Sequence, residues 1–181
     1  MVVVLLGNGF EESEAIVPVD LLRRAGVEVV LAAVGGMEVT SSHGIAVKAD
    51  TSIDKIDPES VDLLFLPGGL GGVGAIQGSP AALKLVQAVY DKEKYLTAIC
   101  AAPTILGGMG LLNGREAVCY PGMEEGLTGA VVQKGRGVVV DGNIVTGEAA
   151  GSAFDFGLTL VELLKGPDAA QQVKHAVHYH G

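Results

Sequence analysis

Val2–Leu6 is five apolar residues in a row, and Glu28–Val34, Val61–Leu66 and Tyr95–Ile99 repeat the theme with at most one strongly polar residue each. Such runs are too short for buried helices, and they lack the alternation of a strand with one wet face. They read as strands buried on both faces, which requires helices above and below a mostly parallel sheet. Each run also stops at a residue that turns the chain: Gly7, Gly35, Pro67 and Cys100.

Helical patterns fill the intervals. From Glu11 to Ala25, apolar residues recur at helical spacing at Ala15, Ile16, Val19, Leu22 and Ala25; acids open the segment, Arg23 and Arg24 lie near its end, and Gly26 stops it. Pro18 interrupts this pattern, so a bend is expected there. Two short β-like runs, Met37–Thr40 and Ile45–Lys48, flank Ser41–Gly44 and predict an edge hairpin. A helix follows over Pro80–Asp91, then the elbow helix up to Gly107, a strand over Glu116–Tyr120 and a hairpin over Val138–Thr146 turning at Gly142-Asn143. Ser152–Lys165 and Pro167 to about His175 are the last two helices. Strands alternating with helices predict a doubly wound α/β sheet, whose site lies beyond the carboxyl ends of the strands.

At 181 residues, with no linker or shift in composition, the chain is expected to form one domain over residues 1–181. An apolar fraction of 49% with only 4% aromatic residues, and 27 glycines, fits closely packed helices on a parallel sheet. A formal charge of −9 without a basic stripe argues against binding a nucleic-acid backbone. No run approaches the roughly 20 apolar residues that span a bilayer, and no leader-like segment precedes the first strand, so no membrane association and a cytoplasmic location are expected. Cys100 and Cys119 are the only cysteines, too few for a disulfide framework.

The chemistry concentrates at Cys100. Small Ala101 and Ala102 follow it, and Pro103 suits a first helical turn, so the cysteine is expected on a strand-to-helix elbow with N–H groups pointing at sulfur and favouring thiolate. The alternative is a buried structural cysteine. Pro67-Gly68-Gly69-Leu70-Gly71-Gly72 lacks the lysine of a P-loop and the spacing of a dinucleotide fingerprint; Gly68 and Gly69 are instead expected to bring bare amides toward the sulfur. Glu11, Glu12 and Glu14 follow the first strand, where one acid can reach that sulfur and, when protonated, donate to it. His175, His178 and His180 belong to the carboxyl-terminal tail and read as solvated rather than as a metal site. His43, in the edge hairpin, is a candidate for the pocket mouth.

Glu14 with Pro18-Val19-Asp20 and Arg23-Arg24-Ala25-Gly26, Leu66-Pro67-Gly68-Gly69, Ala98-Ile99-Cys100-Ala101-Ala102-Pro103-Thr104 and Gly151-Ser152-Ala153-Phe154-Asp155-Phe156 together resemble the DJ-one branch of the ThiJ/PfpI superfamily, in order and over nearly the whole chain. The resemblance implies a flavodoxin-like α/β sandwich with a nucleophile elbow. It implies Cys100 as reactive cysteine, Glu14 as the protonated glutamate touching its sulfur, and pocket amides at Gly68, Gly69 and Ala101. It further implies a homodimer burying the first helix and first strand, and no cofactor or metal. Activities attributed to the superfamily are cofactor-independent glyoxalase action on 2-oxoaldehydes such as methylglyoxal and glyoxal, deglycase action on protein or nucleotide adducts, oxidative-stress sensing and chaperone action. Ala102 departs from a common glycine, Tyr120 from a pocket histidine, and His43 and Glu148 from arginines, so Tyr120 and His43 become candidate pocket-lining residues. Ala101 stands where the protease-like branch has a histidine, which argues against a Cys–His peptidase.

Overall fold

The computed structural model describes residues 1–181. Eleven strands form: β1 (Val2–Gly7), β2 (Val29–Val34), β3 (Glu38–Thr40), β4 (Ala46–Lys48), β5 (Thr51–Ser52), β6 (Leu63–Leu66), β7 (Tyr95–Ile99), β8 (Glu116–Ala117), β9 (Val131–Val132), β10 (Val138–Asp141) and β11 (Ile144–Gly147). Six helices accompany them: α1 (Glu12–Arg24), α2 (Leu70–Gln77), α3 (Pro80–Asp91), α4 (Pro103–Gly108), α5 (Ala153–Lys165) and α6 (Pro167–Ala176). The main sheet has the order β10-β11-β7-β6-β1-β2-β5, parallel throughout except for β10 at one edge.

Alternate side chains of each central strand enter opposite cores, as a two-fold repeat dictates. Val3 and Leu5 of β1, with Leu64 and Leu66 of β6, meet Val73, Ile76, Val86, Val89, Ile105 and Leu106 from α2, α3 and α4. Val2, Val4 and Leu6, with Leu63 and Phe65, meet Val19, Leu21, Leu22, Phe156 and Leu160 from α1 and α5, with α6 behind. This two-sided burial is why Val2–Leu6 is uniformly apolar.

Three expectations need correction. Helix α2 occupies part of the stretch taken for a glycine loop, because Gly71, Gly72 and Gly74 mask its helical pattern. Only Glu116 and Ala117 of the strand expected over Glu116–Tyr120 pair, with Val131 and Val132; Val118 instead donates its N–H to the buried Thr146 hydroxyl at 2.9 Å. And β1 is wholly buried at the centre of the sheet, so it offers no surface to a partner.

Helix α1 runs unbroken through Pro18. Pro18 meets Gly157 of α5, where a Cβ would come within 2.9 Å of the Pro18 Cα and 2.7 Å of the Leu21 Cδ1. Gly157 therefore sets how closely the two helices approach. Gly157→Ala gains up to about 1 kcal/mol in helix propensity but should lose roughly 1–3 kcal/mol to overpacking. A lower urea midpoint is expected; a midpoint at or above that of the unmodified protein contradicts this reading.

Candidate active site

Cys100 sits just past the carboxyl end of β7 with φ +66°, a left-handed conformation that a side chain makes unfavourable. Its surroundings impose it. The Cys100 N–H donates to the Gly147 carbonyl at 2.9 Å, and the Cys100 carbonyl accepts from the Tyr120 N–H at 2.8 Å, so neighbours on two sides fix the turn. Ala101 and Ala102 are buried, which explains their small size, and α4 begins only at Pro103. The elbow expected from sequence is present, although its helix is a six-residue one.

The glycine run explains how Glu14 comes to face this sulfur. The loop after β1 and the loop after β6 touch backbone to backbone: the Glu11 N–H donates to the Gly68 carbonyl at 2.9 Å, and a Cβ on Gly69, itself at φ +84°, would lie 2.5 Å from that Glu11 nitrogen. Close approach, rather than a phosphate, is what these glycines serve. Gly68 lies between the two functional side chains. A Cβ there would collide with the Glu14 Oε2 and come within 2.6 Å of the Cys100 Cβ and 3.1 Å of its Sγ.

Glu14 is only 1% exposed although it belongs to the first turn of a helix. Burial, with a contribution from the Glu11 charge, pushes its carboxyl up to about 7; the Cys100 thiol and the N–H groups of Gly68 and Ala150 pull the other way without overcoming it. Those amides lie close, yet Oε2 itself makes no hydrogen bond of proper geometry. Burial likewise pushes the Cys100 thiol up to about 12, followed by the Glu14 charge and the Glu14 hydrogen bond, while the Ala101 and Gly69 N–H groups favour the thiolate. The amides expected to favour thiolate act in that direction, but burial and the Glu14 charge outweigh them, since two charges are too costly in one largely buried site. Below about pH 7 the pair is uncharged, and above it the pair holds a single negative charge, on carboxyl or on sulfur, according to which holds the remaining proton.

The pair forms the floor of a cavity of about 550 Å³ lined by thirteen residues. Glu11 and Glu14 come from the chain after β1, Gly69 and Leu70 from that after β6, and Cys100 and Ala101 from the elbow, the three loops expected to converge. Tyr120 to Met123 and Ala149 to Gly151 close it. Tyr120 is among the lining residues. Gly68 is not among the lining residues: its amide favours the Glu14 carboxylate, while the Gly69 and Ala101 amides favour the thiolate. His43 is also outside; 70% exposed, it pairs with Glu12 at 2.8 Å and approaches Glu11 at 3.7 Å, because the edge hairpin docks on the start of α1. Glu148 borders a separate small cavity beside the buried Cys119. Glu11 and Leu70 are wall residues that sequence reading passed over, Glu11 because a helix start explains an acid equally well. Glu11, Glu12 and His43 cluster closely enough to consider a cation, but their hydrogen bonds to Ser13, Ser42 and one another account for the arrangement.

A doubly wound sheet with a strained elbow cysteine beside a buried acid defines a class of α/β proteins. The comparisons name the group: the profile of the DJ-1/PfpI family matches residues 1–163, and the chain belongs to that family. Protein dj-1beta of Drosophila melanogaster is 36% identical over 172 residues, covering 94% of this chain and 92% of that one. A crystal structure of Drosophila DJ-1beta has a TM-score of 0.95 at 34% identity and covers 99% and 98% of the two chains. The deglycase PH1704 of Pyrococcus horikoshii is 34% identical over 165 residues, 91% of this chain and 99% of that protein. Oxidized DJ-1 of Toxoplasma gondii has a TM-score of 0.94 at 35% identity, over 99% and 98% of the chains.

The coupled proton has a kinetic signature. Below about pH 7 both groups are protonated and Glu14 has no room for the thiol proton; above it Glu14 is a free acceptor, so alkylation of Cys100 should rise through about pH 7. In Glu14→Gln that rise should vanish, leaving only the thiol's own ionisation. Iodoacetamide rates across pH 5–9 check this, and identical profiles in both proteins would contradict it.

Proposed function

We propose that the chain is a cysteine-dependent, cofactor-independent glyoxalase or deglycase. Carrying the reading is the placement of the Cys100 sulfur and the Glu14 carboxyl on either side of Gly68 at an open cavity; deglycase-named relatives agree with it.

In this scheme Glu14 takes the thiol proton as sulfur adds to the aldehyde carbon of methylglyoxal. The Gly69 and Ala101 amides hold the oxygen that becomes negative until Glu14 returns the proton to it. The Glu14 carboxylate then removes the hydrogen from that carbon and delivers it to the neighbouring carbonyl carbon, while the hydroxyl proton passes to the neighbouring oxygen, converting hemithioacetal to the thioester of a 2-hydroxy acid. Water cleaves the thioester to lactate and regenerates the thiol. No electrons leave the substrate and no metal or nucleotide is consumed. Methylglyoxal consumption should persist in excess chelator and fall by about 10²-fold or more in Cys100→Ser and Glu14→Ala; full activity in Cys100→Ser would sink the mechanism.

A second reading is a redox sensor or redox-regulated chaperone, which the oxidized Toxoplasma relative favours. A protonated Glu14 would donate to one oxygen of a Cys100 sulfinate. Mild peroxide should then add two oxygens to Cys100 and leave Cys119, buried and pushed up to about 11 by burial and by Glu124 and Glu148, as thiol. Mass spectrometry showing Cys119 oxidised first contradicts this.

We further propose a cytoplasmic homodimer. Leu21 and Leu22 of α1 are buried within the chain, so the case for a partner surface on this helix rests on Ile16, 39% exposed, and its neighbour Val17. No helix is long and apolar enough to cross a membrane. Light scattering at micromolar concentration should give about twice the chain mass of 18.4 kDa; the single-chain mass would contradict the dimer.

A further inference from the structure

Glu11 and Glu14 are the two acidic residues that line the cavity above Cys100, and no Lys, Arg or His is among the lining residues. The rest of the lining is apolar or backbone: Leu70, which is 74% exposed at the rim, Tyr120, Pro121, Met123 and the Ala149–Gly151 segment. Glu11 is held in place rather than free to swing away. Its Oε1 accepts from the Ser13 hydroxyl at 2.9 Å, and its Oε2 from the Ser42 hydroxyl at 3.1 Å. Its charge is felt within the site, since it contributes to the raised Glu14 carboxyl. His43 approaches Glu11 from outside the cavity and is mostly in solvent. Lys134 belongs to the separate cavity beside Cys119 and pairs with Glu124.

From this we infer that the cavity is a charge filter with Glu11 as its specificity-determining residue, admitting neutral and cationic electrophiles to Cys100 and rejecting those that carry a carboxylate, sulfonate or phosphate. This deepens the reading given above and rests on it for the identity of the reaction. Within that reaction, the filter selects neutral 2-oxoaldehydes and their adducts on amine or guanidine side chains. It rejects 2-oxo acids such as glyoxylate, and adducts on nucleotides, whose phosphates would meet two carboxyl groups in a partly dry site with no cation to receive them.

Two methanethiosulfonate reagents test the filter without requiring any turnover, one carrying a trimethylammonium ethyl group and the other a sulfonate ethyl group. With each, the Cys100 sulfur attacks the sulfenyl sulfur, a disulfide forms, the sulfur–sulfonyl bond breaks and methanesulfinate leaves. Rates at Cys100, read by peptide mass and divided by the rates of the same reagents with 2-mercaptoethanol, should favour the cationic reagent by about tenfold or more. Glu11→Gln should shrink that preference several-fold. Glu59→Gln, which removes an exposed acid paired with Lys92 near the opposite ends of the strands, should leave it unchanged and so separates the local effect from the net charge.

A normalised ratio near one overturns the filter, as does a ratio that Glu11→Gln leaves intact, or a Cys100 that neither reagent labels. A large, Glu11-dependent ratio in a protein that does not consume methylglyoxal upholds the filter and overturns only the reaction.

Discussion

A carboxyl and a thiol, both largely withdrawn from water and separated by little more than the backbone of Gly68, compete for one proton. Neither would be kept there for stability. An acid buried at the start of a helix surrenders hydration, and a cysteine at positive φ stores backbone strain. In the proposed reaction the arrangement provides a sulfur that loses its proton when the acid beside it is ready to take it, so reactivity is switched by one short transfer rather than by an intrinsically acidic thiol.

The surrounding structure makes that contact obligatory. Both cores clamp the central strands, which fixes the carboxyl ends of β1, β6 and β7 in a row. Glycines in the loop after β6 then let its backbone lie against the backbone after β1, and α1 starts from that point with Glu14 turned inward. On the other side, the Val118 N–H bound to Thr146 and the Tyr120 N–H bound to the Cys100 carbonyl pull the 118–123 segment over the elbow. Residues far from the sulfur thus decide the shape of the cavity. Among them, Gly157 settles how deeply α5 seats against α1.

Much of this was legible in the chain itself. Uninterrupted apolar runs declared strands with two buried faces, and Cys100 between an apolar strand and Ala-Ala-Pro declared an elbow. Glu14 was less legible, since spacing alone offers three acids after the first strand, and resemblance to a family had to choose among them. Other features depended on contacts distant in sequence. Helix α2 was hidden by glycines, of which Gly71 and Gly72 serve the close approach to Gly9 and Phe10. His43 was drawn toward the pocket by its place in the chain, but the edge hairpin docks so that it pairs with Glu12 outside. The thiol was expected to be acidic because amides face it, and burial beside a carboxyl outweighs those amides.

The shared proton is the centre of this account, and the carboxyl can be watched directly. With glutamate side-chain carboxyls labelled with carbon-13, the Glu14 resonance, assigned by its loss in Glu14→Gln, should titrate near pH 7, well above the usual range of exposed glutamates. It should move when Cys100 is replaced by serine, since the thiol and its charge are then gone. A Glu14 resonance that titrates near pH 4.5, or one indifferent to Cys100→Ser, would contradict the account.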